Sequence, residues 1–533
     1  MEPFWERNKT VALSSIVKQY CKVEDCGKVA VEKSRINFGT SKLITLECGH
    51  VTTEEVLAAA DYESLTSTDG KKLMPFQIEG VKFAEAANGR VLFADEQGLG
   101  KTVEALALLK LHFNDLTPCV IATKATIKTQ FMKQIWNWIP GSKVQVLYSG
   151  KEIAVPGFDV YVTSYAMLAK QDVWKHIEPK TLILDECQQI TNHLADRSKG
   201  AQRIGKNCEH VIGLSGTPIR NHAGEYFTIL NLIRPRMFPE YTKFINEHCD
   251  SYNGGWSPKV GGLRNPDRFH EMTKDFIIRR TQAEVLPDLF ALGQPHKFQH
   301  VELDRKLNKA YDEALKELDD LMYNEEMENM QKSSCMLAIM NKMRQITGIS
   351  KTYECADYVS DHIESTGRRI TVFAHHHADI DLLEANINKW LAESGYNPAI
   401  VIRAGDDSSV KLAKLAEDNK NMVLLCSGLA SGEGMDGLQH LCSDMILLER
   451  FWNPASEEQI EKRLLRMGQN RPVNFIYMIA SETIDEYFTE LVEAKRAIVS
   501  STLDNKEVAW DQNSLMTELA NILVTKGKKA WKL

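Results

Sequence analysis

The chain has 533 residues, of which 43% are hydrophobic and 26% charged, and its 64 Lys and Arg against 72 Asp and Glu leave a net charge of −8. That length corresponds to roughly three to four domains' worth of chain with a sizeable core, and the charge balance gives no global nucleic-acid signal, so any such surface has to be a local patch. The 11 cysteines, an odd number scattered along the chain, argue for reduced thiols in a cytosolic setting and against a disulfide framework.

Residues 1–20 are polar and mixed, without the apolar core of a secretory signal. No run reaches the length and apolarity of a membrane span. Neither a solenoid period nor a low-complexity tract is present. A cytoplasmic protein is the expectation.

Residues 1–70 read as an N-terminal appendage. It contains Cys21, Cys26, Cys48 and His50, four soft ligands able to hold one tetrahedral Zn²⁺. Their spacing is not that of a standard knuckle, and buried free cysteines are the competing reading. From about residue 71, short apolar runs alternate with helical stretches. They are Val91–Ala94, Cys119–Ala122, Val144–Tyr148, Val160–Thr163, Leu182–Leu184 and Val211–Leu214. A second set follows at Ile370–Ala374, Ala399–Ile402, Met422–Cys426, Met445–Leu448 and Asn474–Ile479. Runs this continuously apolar fit parallel strands covered on both faces, and the alternation implies βαβ units.

Between the two sets, residues 252–268 (YNGGWSPKVGGLRNPDR) read as loop, and Asp304 to Gly348 read as long acidic helix with apolar residues at three-to-four spacing. The expected organisation is an α/β fold with two parallel-sheet lobes. The first spans 71–240, a loop and helical insertion 241–355, the second lobe 356–500, and a helical tail 501–533. The tail ends in the basic KGKKAWKL, read as a frayed end with a DNA contact as the alternative. The run His375-His376-His377 follows a lobe-two strand and reads as structural, not as a metal site.

Four stations carry chemistry. The first is VLFADEQGLGKT (91–102), where a strand runs into a glycine-containing loop, Lys101-Thr102 and a helix. That is the context of a phosphate loop: Gly98 and Gly100 let backbone N–H groups turn inward, Lys101 reaches phosphate and Thr102 holds Mg²⁺. The glycine expected at position 95 is replaced by Asp95. The second station is Asp185-Glu186 at the end of the strand TLIL, placed so that Asp185 can bind Mg²⁺ and Glu186 can polarise a water. The third is Ser215-Gly216-Thr217-Pro218, with hydroxyls able to bond the Asp-Glu turn. The fourth is 450–469, RFWNPASEEQIEKRLLRMGQ, in which helical spacing would put Gln459, Arg463 and Arg466 on one face. Two arginines there can stabilise phosphate charge from across a cleft.

Taken together and in this order, the stations resemble the superfamily-two nucleic-acid motor ATPases, and more closely the switch/sucrose-nonfermenting (Swi/Snf) branch. Met74-Pro75-Phe76-Gln77-Ile78-Glu79-Gly80 is similar to the adenine-reading glutamine motif. DEQGLGKT (95–102) looks like the branch's phosphate loop, in which an acidic residue regularly takes the first position. TSYAML (163–168), SGTPIRN (215–221), IIRRT (277–281), the WNP of 452–454 and Q-x-x-x-R-x-x-R-x-G-Q (459–469) match further motifs. The departures are Gln188 and Leu465 at positions where relatives often carry His, and a loop, 427–439, that matches loosely. Relatives also often show Ala-His-His after the lobe-two strand.

The resemblance implies two RecA-like lobes with ATP and Mg²⁺ between them, held by Gln77, Asp95, Gly98, Gly100, Lys101, Thr102, Asp185 and Gln459, with Gly434 and Asp436 contributing from lobe two. Glu186, Arg463 and Arg466 would complete hydrolysis. A duplex track would run over Thr123, Lys124, Ser164, Tyr165 and Ser427. The implied output is translocation on double-stranded or branched DNA by a monomeric, compact bacterial or viral motor, working in a bacterial cytoplasm or an infected cell. Two other outputs stay open: a strand-separating DNA or RNA helicase, which needs a wedge not identified here, and a nucleotide-dependent scaffold that binds without turnover.

Overall fold

Parallel strands buried on both faces need apolar residues at every position, and each run picked out on that ground is a strand. In the computed structural model the described residues are 32–38, 41–46, 51–55, 62–216, 218, 222–253, 258–323, 329–428, 435–451, 454–501 and 512–530. The chain divides into two units, Met1–Leu65 and Thr66–Leu533. The first holds a three-stranded antiparallel sheet, β1 (Glu32–Phe38), β2 (Ser41–Leu46) and β3 (Val51–Glu55). Cys21, Cys26, Cys48 and His50 lie outside the described residues.

The second unit contains two parallel sheets. The first sheet takes β4 (Arg90–Phe93), β5 (Cys119–Thr123), β6 (Val144–Val146), β7 (Val160–Ser164), β8 (Thr181–Asp185) and β9 (His210–Leu214). After an antiparallel hairpin of β10 (Cys249–Asn253) and β11 (Pro258–Leu263), the two-residue β12 (Ile277–Ile278) returns to it, and the order is β12-β4-β9-β8-β5-β7-β6. The second sheet is built from β13 (Lys297–Val301), β14 (Ile370–Ala374), β15 (Ile400–Ile402), β16 (Val423–Ser427), β17 (Asp444–Leu447) and β18 (Asn474–Ala480), in the order β13-β18-β17-β14-β16-β15. Consecutive residues of these strands enter different cores. Phe373, Leu424, Met445 and Tyr477 pack on one side, and Val372, Leu425, Ile446 and Ile476 on the other, as the period-two alternation of a strand requires.

The structure corrects several expectations. Residues 252–268 are not all loop: β10 and β11 form a hairpin in which Asn253 pairs with Pro258, and a helix, Pro266–Thr273, starts at the Asn265 cap. Pro at the first position of β11 and Gly within it conceal such strands from a composition reading. The long helix is two helices, Arg305–Met322 and Asn329–Thr366, and the second runs well past Gly348. The edge strands β12 and β13 were not anticipated, since one is only two residues long and the other is mostly exposed. The C-terminal helix Gln512–Ala530 sends Met516, Leu519 and Leu523 into a core shared with Tyr311, Leu318, Met340 and Phe488. Among the described residues, no helix is long and apolar enough to cross a membrane.

Candidate active site

Four strands of the first sheet lie side by side in the order β4, β9, β8, β5. Their registers, Phe93 beside Leu214, Asp185 beside Leu214 and Ala122 beside Leu184, bring their carboxyl ends to one rim of the sheet. The phosphate-loop segment leaves β4, Ser215 follows β9, Asp185 ends β8 and Thr123 ends β5. Three of the sequence stations therefore share the rim at which open parallel sheets hold ligands.

Gly100 has φ +85°, and a Cβ there would come within 2.5 Å of the Gln77 amide nitrogen. The loop thus needs glycine both for its conformation and for this close approach. Gln77 is buried, donates to the Leu99 carbonyl at 2.9 Å and accepts from the Met74 N–H at 3.0 Å. Its amide braces the loop. The helix Lys101–Leu111 starts immediately after, with its N-terminus at the rim. The Lys101 ammonium donates to the carbonyls of Asp95 at 2.7 Å and Glu96 at 3.2 Å. Burial lowers the Lys101 pKa, and the Glu186 and Asp95 carboxylates oppose that shift.

Asp185 accepts a hydrogen bond from the Thr123 hydroxyl at 2.7 Å, and its carbonyl accepts one from the Tyr165 hydroxyl at 2.6 Å. Burial first, and the neighbouring Glu186 charge second, push the Asp185 carboxyl up to about 6. A divalent cation would relieve both causes, and the hydroxyl of Thr102 lines the same space. The donor set of Asp185 and Thr102 therefore suits Mg²⁺. Because cation and proton compete for Asp185, Mn²⁺ used as a Mg²⁺ probe should bind with constant affinity above neutral pH and weaken about tenfold per unit below about pH 6. The component of Mn²⁺ binding lost in Asp185→Asn reports this. No weakening below pH 6 would contradict the assignment.

Glu186 sits at φ 53°, ψ 55°, a left-handed conformation that a non-glycine residue adopts at a cost of order 1–3 kcal/mol. Its neighbours hold it there. The Gln188 amide donates to the Glu186 carboxylate, and the Ser215 hydroxyl donates to the Gln188 carbonyl at 2.7 Å. The third station is therefore wired to the second through Gln188. Thr217, Ile219, Arg220 and Asn221 lie outside the described residues.

These groups face the second lobe across a cleft of about 160 Å³, lined by Thr102, Lys124, Asp185 and Glu186 on one side and Asp436, Arg463 and Arg466 on the other. The arginines are not on one helix face as expected. The helix Pro454–Glu461 ends before them, and both lie on the following turns, which Gly468 at φ +96° helps to close. Gln459, within that helix, is half-buried and not among the residues lining the cleft. Arg466 pairs with Asp436 at 3.3 Å. Burial, then repulsion from Arg466, lower the Arg463 guanidinium to about 10, a state that an anion in the cleft would relieve. The arginine segment is held against the phosphate loop by Lys462, which pairs with Glu96 at 2.6 Å and donates to Gln282 at 2.7 Å. Gln282 in turn donates to the Leu465 carbonyl at 3.0 Å. Gly98 lies close by, 3.5 Å from the Arg466 Cβ when given a Cβ of its own. Gly434 is outside the described residues.

Asp95 does not face the cleft. It is fully buried and bound through its carboxylate to Arg280, which also holds Glu104 at 2.6 Å and lies over the Phe76 ring. One guanidinium serves two buried carboxylates, so burial and the Asp95 charge push Glu104 up to about 8 and it keeps its proton at neutral pH. The acidic first position of the loop is thus a structural anchor to the Ile277–Thr281 segment. Arg280→Ala, which strands this pair, should cost about 3–5 kcal/mol in denaturant unfolding, whereas Glu104→Gln should cost about 1 kcal/mol or less. Equal losses in the two variants would contradict this charge assignment.

The expected duplex track is not a row of exposed side chains. Thr123 is 0%, Tyr165 5%, Ser164 9% and Ser427 1% exposed. Each stands at or next to the end of a covered parallel strand, and the first two turn their hydroxyls onto Asp185. Lys124 alone of the five is half-exposed, and it lines the cleft. Sequence reasoning missed Gln130 and Gln134, which line the cleft from the helix Lys128–Trp138. Their spacing of four after a strand end was the available signal.

A family model described as SNF2-related domain matches residues 76–350, just over half of the chain. The chain is 27% identical over 486 residues to the SWI/SNF-related matrix-associated actin-dependent regulator of chromatin subfamily A-like protein 1 of Xenopus tropicalis, covering 90% of this chain and 49% of that protein. It is 25% identical over 456 residues to the mouse DNA annealing helicase and endonuclease ZRANB3, covering 82% of this chain and 41% of that protein. The chain thus spans less than half the length of either relative. Among solved structures, the Sulfolobus solfataricus SWI2/SNF2 ATPase core in complex with dsDNA is 20% identical with a TM-score of 0.38, covering 80% of this chain and 92% of that one.

Proposed function

Because the chain belongs to the SNF2-related domain family, we propose that it is an ATP-driven DNA motor, a monomer that hydrolyses ATP to translocate on duplex DNA and remodel DNA structures or DNA–protein complexes. The observation that carries this reading is the cleft. Glu186, held in the left-handed region, and Asp185 share it with Arg463 and Arg466 of the other lobe. A site built only to bind nucleotide has no need of a strained carboxylate opposite two arginines.

In this reading Lys101 and the N-terminus of its helix receive the β- and γ-phosphates, and Thr102 and Asp185 hold Mg²⁺. When bound, Mg²⁺ supplies charge neutralisation at the phosphate oxygens. Glu186 orients and deprotonates the attacking water. Arg463 and Arg466 meet the charge that develops on the transferring phosphoryl group. Since those arginines belong to the second lobe, the state of the nucleotide controls how firmly the lobes hold each other, and repeated closure and release drives movement along DNA. DNA as the track is supported by the relatives' names, of which one is a DNA annealing helicase and another a regulator of chromatin.

The test is ATP hydrolysis measured without nucleic acid and with single-stranded DNA, blunt duplex, forked duplex and RNA. Strong stimulation by blunt and forked duplex is expected. Stimulation by single strands or RNA alone would replace the duplex motor with a strand-separating helicase. Nucleotide binding with no turnover on any of them would leave a scaffold.

A further inference from the structure

At the carboxyl ends of β14 and β17 in the second lobe, formed by residues that do not line the cleft, lies a second cluster of ligating groups. The triple-histidine run places His376 at the N-terminal cap of the helix His377–Glu393, and Asp379 lies in that helix's first turn. Glu449 follows β17. His376 Nδ1 is 2.6 Å from a Glu449 oxygen and 3.8 Å from an Asp379 oxygen. One ligating atom from each of the three residues falls within 4.8 Å of the others.

Asp379 is the group that needs explaining. It is 0% exposed, yet neither of its carboxylate oxygens accepts a hydrogen bond. It is buried against the backbone of the helix Asn329–Thr366 at Gly348, where a Cβ would overlap the carboxylate. A buried carboxylate without donors is costly, and structures retain one when a proton or a cation satisfies it. The nearby Lys351 is committed elsewhere, to Asp485 and to the Met478 carbonyl at 3.1 Å. Glu449 is oriented by the backbone N–H groups of His375 at 2.7 Å and His376 at 3.1 Å, which bond its second oxygen.

We infer that His376, Asp379 and Glu449 form a binding site for a divalent transition-metal ion of the zinc or manganese class, distinct from the nucleotide site. One imidazole nitrogen and two carboxylate oxygens are a ligand set such ions accept, and the partial exposure of His376 leaves room for water at an open position. Burial first, and then the neighbouring Glu449 carboxylate, disfavour a charged Asp379, and a cation between the two would relieve both. The bound ion would tie the start of the helix His377–Glu393 to the segment that leads from β17 towards Arg463 and Arg466.

The test is Co²⁺ titration of the full chain, followed by optical absorption and equilibrium dialysis, in wild type, Asp379→Asn and Glu449→Gln. Wild type should bind one Co²⁺ that both variants lose, with d–d bands and no thiolate-to-metal charge-transfer band. Asp185→Asn should retain it. Thermal unfolding of Asp185→Asn, which lacks the cleft's cation ligand, should shift upward with Zn²⁺ and not with an equal concentration of Mg²⁺, a readout that stands even if the Asp379 and Glu449 variants fold poorly. Co²⁺ binding unchanged in Asp379→Asn, a cobalt spectrum of thiolate type alone, or no Co²⁺ bound by wild type would each overturn the site and leave a proton as the partner of Asp379.

Discussion

Glu186→Gln is expected to lower kcat for ATP hydrolysis by about 10²–10⁴-fold, the range for removal of a positioned general base, with nucleotide affinity changed only a few-fold. The substitution keeps the side chain's size and leaves an amide that can still meet Gln188, so the brace from Ser215 through Gln188 survives. It removes the capacity to take a proton, together with the charge that bears on Lys101 and Asp185. Steady-state hydrolysis paired with fluorescent-nucleotide binding checks both halves. A variant that keeps more than about a tenth of wild-type turnover would show that another group activates the water.

Arg463→Ala is expected to have an effect as large or larger, about 10³–10⁵-fold in kcat, the range for a catalytic arginine acting on phosphoryl transfer. Arg463 lies in the cleft with Glu186 and is held near about 10 by burial and by Arg466, so it is poised to gain most when negative charge develops in front of it. The loss should fall on the transition state. Binding of ADP with aluminium fluoride should weaken far more than binding of ATP. Arg463→Lys should not rescue, because an ammonium lacks the planar pair of donors. Equal weakening of ATP and the transition-state mimic would reduce Arg463 to a ground-state contact.

What the sequence made legible follows from where its residues end up. Val91, Ile121, Ile183 and Ile212 are fully buried in parallel strands, which forces apolar residues at every position and makes each strand visible as a run. The first two stations stood out because a glycine-containing strand-to-helix turn and a strand-end Asp-Glu are local patterns, and the sheet brings both to one rim. The edge strand Lys297–Val301, largely exposed, carries no such constraint and could not be seen. The pairing of Asp95 with Arg280 joins residues 185 positions apart, and no local pattern encodes it. The same holds for Lys462 with Glu96, which sets where the arginines sit more than helical spacing does. Of the hydroxyls expected to touch DNA, those of Thr123 and Tyr165 turn inward to hold Asp185, because they stand at or next to the end of strands covered on both faces. Asp379 gave no signal in sequence. An aspartate in the first turn of a helix is ordinary, and only the close approach of Gly348 makes it a buried carboxylate without donors.

Whether turnover in this cleft drives movement along duplex DNA is read from displacement of a third strand from a duplex carrying a triplex at one end. Wild type should displace the third strand from a blunt duplex only with ATP, leaving the two duplex strands paired, and Glu186→Gln and Arg463→Ala should abolish displacement. Duplex-stimulated hydrolysis without displacement of the third strand, or displacement that needs no ATP, would contradict movement driven by turnover.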